Sequence, residues 1–250
     1  MTYETNVLGT VNLFEAIRKF DSVKVIINVT SDKCYENKEW VYGYREIDPM
    51  GGYDPYSSSK GCAELITSAY RNSFFNEMGV ALSSVRAGNV LGGGDWGEDR
   101  LVPDCIRALS ENKTVVIRNP QAVRPWQYIL EPLSGYLWLA ALMYEDKTKH
   151  SSAWNFGPKE EDIVIVEDVV RLVLKHWGRG NYIIDKANNL HEATILKLDC
   201  NKAFTFLKWQ RVYNIQRAIE EATYWYKEYY NLNNSEKMKE LTISQIEGYI

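Results

Sequence analysis

The chain has 250 residues, 45% hydrophobic and 25% charged, which fits an ordinary soluble globular protein of one large domain or two small ones. Its net charge of -4 comes with both signs interspersed, so it shows no electrostatic footprint for nucleic acid or for an anionic membrane. No apolar run approaches the ~20 residues of a membrane span, and the opening "MTYETNVLGT" lacks the basic region and apolar core of a secretory signal.

In chain order, Val7, Leu8, Val11, Phe14 and Ile17 recur at helical spacing, which predicts a helix over residues 5 to 20. Val23 to Val29 is a nearly continuous apolar run, the kind of strand buried on both faces of a parallel sheet. It ends in "TSDKCY". Thr30, Ser31, Asp32 and Lys33 there are either an ordinary strand exit or the working edge of an α/β sheet, where ligands sit outside the carboxyl ends of strands. Residues 36 to 55 carry the loop signature "DPMGGYDPY". "SSSKGCAELITSAYRNSFFNEMG" predicts a long helix stopped near Gly79, and "VALSSVRAGNV" predicts a strand running into the Gly-rich loop "LGGGDWGED". A helix near 101 to 112, a strand at "TVVIR", a helix over "LEPLSGYLWLAALMY" and a strand at "AWNFG" follow. A helix over 166 to 177, two short strands and helices over 199 to 207 and 214 to 231 complete the series. The polar tail "NLNNSEKMKE" is expected to be mobile at its start.

Alternating helix and strand points to an α/β fold: a partial Rossmann-like, doubly wound parallel sheet with a smaller carboxyl-terminal lobe. The sheet domain is expected over 1–92 and 125–157, the lobe over 93–124 and 158–250. Cys34, Cys62, Cys105 and Cys200 stand far apart with no C-x-x-C pair, which argues against zinc and for reduced thiols in a cytoplasmic protein. His150, His176 and His191 show no ligand spacing, and no metal site is expected. The aromatic stripe Tyr224, Trp225, Tyr229 and Tyr230 reads as helix packing.

Chemistry concentrates on two stretches. Tyr56 and Lys60 stand four apart at the start of the long helix, so both project from one face. A neighbouring ammonium stabilises a phenolate and suits the pair to base catalysis. With 17 tyrosines such a pair is expected about once by chance, and alone it could be an exposed surface pair. Its position is more specific. It follows a strand ending in Ser31, Asp32 and Lys33 and precedes one ending in Asn89. In the "GGGDW" loop, Gly92 to Gly94 could cradle a phosphate or form a plain turn.

The blocks "TSDKCYENKEW", "YREIDPMGGYDPYSSSKGCAE", "RAGNVLGGGDWGEDRLVPDCIR", "RNPQAVRPWQYILEPLSGYL" and "WNFGP" resemble the sugar-nucleotide 4,6-dehydratases of the extended short-chain dehydrogenase/reductase family, in particular the branch that acts on CDP-glucose. The resemblance runs from about residue 3 to residue 210. Relatives acting on dTDP-glucose carry Thr-Asp-Glu where this chain has Ser31-Asp32-Lys33. The resemblance implies NAD as cofactor and CDP-glucose as substrate. It makes Tyr56, beside Lys60, the base at the glucose 4-hydroxyl, with Ser31 hydrogen-bonded to that hydroxyl. Lys33 would take the C5 proton, Asp32 would protonate the departing 6-hydroxyl, and hydride would pass from C4 to the cofactor and back to C6. A solvated loop pair is the bland alternative for Asp32 and Lys33. Asn6, Tyr56 and Lys60 would meet the nicotinamide ribose, while Ser31, Asn89 and Arg124 would hold the sugar nucleotide, Arg124 through its planar fork. A surface arginine before Pro125 is the alternative for Arg124. A dimer paired through two helices, one of them the Tyr-Lys helix, also follows from the resemblance.

No G-x-x-G-x-x-G turn, the usual pyrophosphate holder at a helix start, occurs in the chain. Roughly 100 residues, the first βαβαβ half of such a fold, are expected to be missing. The isolated 250 residues are therefore expected to bind NAD weakly and not to turn over. Two other readings stay open: a non-catalytic remnant that binds a sugar nucleotide or a partner subunit, and another enzyme of the same fold such as a 4-epimerase. Lys33, an ionisable residue where an epimerase needs none, argues against the latter.

Overall fold

A computed structural model describes residues 1–185 and 195–250 of the chain; His191 lies outside the described residues. From the amino end, a π-helical turn (Glu4–Leu8) runs into α1 (Gly9–Ile17), followed by β1 (Val25–Val29), α2 (Pro55–Tyr70), β2 (Ala81–Ala87) and β3 (Val90–Leu91). Next come α3 (Leu101–Ser110), β4 (Val115–Ile117), β5 (Val123–Arg124), β6 (Gln127–Tyr128), α4 (Leu130–Glu145) and the short α5 (Lys147–His150). The remaining elements are β7 (Ala153–Phe156), β8 (Val164–Ile165), α6 (Val166–Trp177), β9 (Tyr182–Ile184), α7 (Ile215–Leu232) and α8 (Ser235–Tyr249).

The chain forms two units. Unit 1 comprises Met1–Gly88, Pro132–Gly157 and Leu196–Gln210, and unit 2 comprises Asn89–Glu131, Pro158–Ile195 and Arg211–Ile250. These boundaries differ from those expected: residues 89–92 and 125–131 fall in unit 2, and 196–210 falls in unit 1.

Unit 1 is built on a parallel sheet of order β1-β2-β7, with Val25 opposite Ala81 and Ser84 opposite Ala153. Side chains alternate across a strand, and the two faces of β2 divide accordingly. Leu82 packs with Phe14, Ile26, Phe75 and Val80 on the face covered by α1 and α2. Ala81 and Val85 face the other way, onto Leu139 and Met143 of α4 and onto Trp154 and Phe156 of β7. Helices on both faces of parallel strands are the doubly wound arrangement. β1 is less buried than its apolar sequence predicts: Ile26 is its one buried residue and Val29 is exposed.

Unit 2 gathers α3, α6 and α7 around Ile106, Val169, Val170, Val173 and Ile219. Three strand pairs lie beside them: β3 with β6 and β4 with β9, both parallel, and β5 with β8, antiparallel.

Four elements depart from the sequence expectation. The strand predicted over 80 to 90 is two: β2 ends at Ala87, and β3 pairs with β6 in unit 2. The long helix stops being α-helical at Tyr70 and widens into a π-helical turn, Arg71–Phe75, where Arg71 Nε donates to the carbonyl of Leu82 at 2.7 Å. The helix expected over 199 to 207 starts at residue 201 and is mostly a π-helical turn, Ala203–Leu207, ended by Lys208 at φ 54°. The tail folds. Asn234 accepts from the amides of Glu236 and Lys237 as a helix cap, and α8 then buries Met238 and Tyr249. Its largely polar sequence hid that helix. Among the described residues no helix is long and apolar enough to cross a membrane.

Candidate active site

At the carboxyl end of β1 the chain tightens into a 3-10 turn, Asp32–Cys34. Ser31 makes the turn: its extended backbone precedes it, and its Oγ accepts from the amide of Lys33 at 3.2 Å. The same hydroxyl donates to Asp32 Oδ1 at 3.0 Å. In so tight a turn neighbours point apart. Asp32 is 4% exposed and Cys34 buried, while Lys33 between them faces water. Asp32 and Lys33 are therefore not a uniformly solvated pair.

Asp54 starts α2 by accepting from the amides of Tyr56 and Ser57 at 2.9 and 3.0 Å, with Pro55 in the first turn, where its missing N–H does no harm. Tyr56 is thereby fixed one residue into the helix, 44% exposed. Lys60 follows one turn on, half-buried, and burial pushes its ammonium down from the ordinary lysine range. Lys33 Nζ and Lys60 Nζ each lie 5.9 Å from the centroid of the Tyr56 ring. Two cations thus converge on one phenol, within the ~6 Å reach of a cation–π contact. Among the described residues, neither ammonium nor the Tyr56 hydroxyl makes a hydrogen bond.

The glycines of "MGGY" explain how turn and helix come so close. Gly51 N donates to Cys34 O at 2.9 Å, and a Cβ on Gly52 would stand 2.2 Å from Ser58 N in the first turn of α2. Only a residue without a side chain fits between them. Asn6 joins from the amino-terminal π-helical turn: its Nδ2 donates to Ser59 Oγ at 2.9 Å, and Ser59 Oγ donates to the carbonyl of Tyr56 at 2.7 Å. Unit 1 thus brings Asn6, Ser31, Asp32, Lys33, Tyr56 and Lys60 together.

Asn89 and Arg124 belong to unit 2. The carbonyl of Asn89 accepts from the amide of Gln127 at 2.9 Å just before β3, and Arg124 lies in β5, part-buried, with Nη1 donating to the carbonyl of Val123 at 2.9 Å. The "GGGDW" loop is a packed turn and not an open cradle. A Cβ on Gly93 would lie 2.2 Å from Trp225 Cγ, and the amide of Asp95 is already bonded to Tyr226 Oη at 3.0 Å. Trp225 also stacks on Tyr229, rings 5.7 Å apart at 10°, while Tyr224 stays exposed. Among the described residues no group of His, Cys, Asp or Glu could hold a metal ion.

Sequence reasoning missed Glu64 of α2 and Arg86 of β2, both buried. Two signals were available: Glu64 continues the four-residue spacing of Tyr56 and Lys60, and Arg86 is a cation inside a strand otherwise expected in the core.

Comparison with known proteins identifies the family and the fold. The family model for GDP-mannose 4,6 dehydratase matches residues 1–222. CDP-glucose 4,6-dehydratase of Salmonella typhimurium is 52% identical over 232 residues, 90% of this chain and 65% of that protein. A dTDP-glucose 4,6-dehydratase of Xanthomonas campestris is 22% identical over 244 residues, 89% of this chain and 66% of its own length. The chain thus spans just under two thirds of either curated relative. Among solved structures, dTDP-glucose 4,6-dehydratase from Bacillus anthracis in complex with NAD has a TM-score of 0.75 at 23% identity, covering 96% of this chain and 71% of that one. UDP-glucuronic acid 4-epimerase from Bacillus cereus, in complex with UDP-glucuronic acid and NAD, has a TM-score of 0.76 at 20% identity, covering 90% and 68%. These two likenesses show the fold.

Proposed function

The chain belongs to the GDP-mannose 4,6-dehydratase family, and with that family in view we propose that it serves the 4,6-dehydration of CDP-glucose to CDP-4-keto-6-deoxyglucose with NAD. One observation carries the reading: Lys33 and Lys60 converge on Tyr56, three polar heads without hydrogen bonds among the described residues, beside a buried carboxyl at Asp32. Lys60 is half-buried and without a hydrogen bond among the described residues, which calls for an explanation, and a sugar with its cofactor supplies one.

The donor set fits NAD at its nicotinamide end. Lys60 offers three N–H donors to ribose hydroxyls, and Asn6, whose Nδ2 is bonded to Ser59, keeps its Oδ1 as an acceptor. NAD, when bound, supplies the chemistry that the side chains lack, taking a hydride from C4 and giving it back at C6. The chain's own residues move the protons. Tyr56, next to the Lys60 cation, takes the proton of the 4-hydroxyl, and Ser31 holds that hydroxyl. Oxidation at C4 makes the C5 proton acidic, and Lys33 removes it. Asp32 protonates the departing 6-hydroxyl, so water leaves across C5 and C6. A base and an acid side by side perform this elimination when their environments differ; here Asp32 is buried and Lys33 exposed. An epimerase has no use for either group, which disfavours that reading. Asn89 and Arg124 of unit 2 are assigned to the sugar nucleotide. The free cysteines suit a cytoplasmic setting, and the exposed Leu13 of α1 and Leu65 of α2 suit a homodimer paired through those helices.

Product analysis with CDP-, dTDP-, UDP- and GDP-glucose, on a protein that includes the half with the glycine turn, tests the proposal. CDP-glucose is expected to give the 4-keto-6-deoxy product with the highest kcat/KM. A tenfold preference for dTDP-glucose, about 1.4 kcal/mol in the barrier, overturns the substrate assignment.

A further inference from the structure

Along the α2-facing side of β2, the packing changes character towards the strand end. Leu82 lies in an apolar cluster with Phe14, Ile26 and Phe75. Two and four residues on, the same face presents Ser84 and Arg86, both buried. They meet Glu64, which lies one helical turn beyond Lys60 and two beyond Tyr56 on the same face of α2. Glu64 is 4% exposed and accepts from Thr30 Oγ1 at 2.5 Å, from Ser84 Oγ at 2.7 Å and from Arg86 Nη2 at 2.6 Å. Arg86, 3% exposed, donates from Nη1 to Tyr35 Oη at 2.6 Å and to the carbonyl of Glu46 at 3.3 Å. Tyr35 Oη in turn donates to Asn155 Oδ1 at 2.8 Å. Burial works to raise the Glu64 carboxyl, but Arg86 and the two hydroxyls outweigh it and hold the group below the usual carboxylate range.

Thr30 and Tyr35 are the two residues that bracket Ser31–Cys34. The turn is thus tied at its entry to the acid of a buried ion pair and at its exit to the base. The acid itself rides on the helix that carries Tyr56 and Lys60. Stability is a weak account of such a pair, since well-packed apolar replacements of buried ion pairs are often neutral or stabilising. The apolar cluster two residues away could have continued through these positions.

We propose that Glu64 and Arg86 are positioning residues that clamp the Ser31–Lys33 turn to the Tyr56–Lys60 face of α2, and so set the spacing of the acid and base groups on the sugar. The role in turnover rests on the dehydratase reading; the clamp itself does not. A misplacement of about 1 Å can cost on the order of 10²-fold in rate. Lys33 and Lys60 both stand near the limit of contact with Tyr56, so turn and helix must keep register.

Three variants test the clamp. Thr30→Val and Tyr35→Phe each cut one tie between the pair and the turn, and Glu64→Leu/Arg86→Met replaces the pair with apolar side chains. Amide hydrogen exchange across residues 28–38, thermal melting and initial rates with CDP-glucose, the rates in a protein that carries the glycine-turn half, provide the readouts. Exchange over Ser31–Tyr35 is expected to rise at least tenfold in each variant, with the β2 and β7 amides unchanged. The kcat is expected to fall tenfold or more while KM stays within twofold. Unchanged exchange over Ser31–Tyr35 in both hydroxyl variants overturns the clamp, whether or not the double variant folds. Faster exchange with unchanged kcat overturns the positioning role. A parent protein that carries the glycine-turn half and makes no 4-keto product, but shows the exchange response, supports the clamp and overturns the dehydratase reading instead.

Discussion

Two stretches follow strands in residues that suit ligand binding, Ser31–Lys33 after β1 and Gly92–Asp95 after β3. In the first, a tight turn buries Asp32 and sends Lys33 outward to meet the ring of Tyr56. In the second, Trp225 occupies the space that the glycines leave, and Tyr226 takes the amide that an anion would need. A run of glycines states only that something approaches the backbone closely. Whether a phosphate or an indole approaches is decided by an element more than a hundred residues away. Side-chain chemistry is more informative: an acid, a base and a phenol within one short turn and one helical turn have few purely structural uses.

The sharpest way to break this contrast is Lys33→Ala in a full-length enzyme that carries the glycine turn. If Lys33 is the C5 base, its loss should lower dehydration by on the order of 10²–10⁴-fold, the usual contribution of a positioned general base. The first oxidation should survive, so absorbance of the reduced cofactor should build up on adding CDP-glucose. Dehydration at the parent rate would remove Lys33 from the mechanism and leave the turn no more functional than the glycine loop.

Gly93→Ala probes the other side. The new methyl would sit 2.2 Å from Trp225 Cγ, so helix α7 or the loop must shift. Overpacking of this kind costs about 1–3 kcal/mol, read as a lower urea midpoint with an unchanged slope. The companion Trp225→Ala should relieve the clash, so that the double variant loses less than the two single losses combined. A Gly93→Ala protein as stable as the parent would mean that the loop is open, and the phosphate reading of "GGGDW" would return.

The pH profile sharpens the comparison further. Burial lowers the Lys60 ammonium, so its proton leaves below the ~10.4 of a free lysine. The cation beside Tyr56 is lost as pH rises through that lowered value, and kcat should decline there. Stability moves in the opposite sense. Between the folded and unfolded values the unfolded chain holds more protons, so this group's contribution grows with pH and is complete above the unfolded value. Lys60→Arg, which stays charged to beyond pH 12, should move the alkaline limb of kcat upward in whatever activity it retains. A limb that stays in place in Lys60→Arg would assign it to another group.

Much of unit 1 was legible because its signals are local. The apolar run before Thr30, the Asp54–Pro55 helix start and the four-residue spacing of Tyr56 and Lys60 each follow from neighbours in the chain. Asn6 was placed by resemblance, and the structure adds its hydrogen bond to Ser59. The failures share another cause. The break between β2 and β3 at Gly88 depends on which partner strand each half finds, β7 or β6. The Glu64–Arg86 pair needs three elements to meet before either charge makes sense. Helix α8 lacks a strong apolar stripe, so its cap at Asn234 was the one local sign of it.

That helix bears on the smallest effect expected. Trp225 Nε1 donates to Thr242 Oγ1 at 2.9 Å, so α8 helps hold the indole that fills the glycine loop. Thr242 also donates to the carbonyl of Met238 at 2.8 Å, a bond within its own helix that needs no side-chain partner elsewhere. Thr242→Val keeps the shape and removes both bonds. One net hydrogen bond is worth about 0.5–1.5 kcal/mol, and valine is close to threonine in helix propensity, so the loss should fall in that range. The indole N–H sits where water can reach it, which places the expected value at the low end. Denaturant melts of Thr242→Val in the parent and in Trp225→Phe, which has no N–H to donate, separate the two bonds. If the indole bond matters, Thr242→Val should cost measurably more in the parent than in Trp225→Phe. Equal costs in the two backgrounds would show that α8 does not brace Trp225, and that the glycine loop is filled by packing with α7 alone.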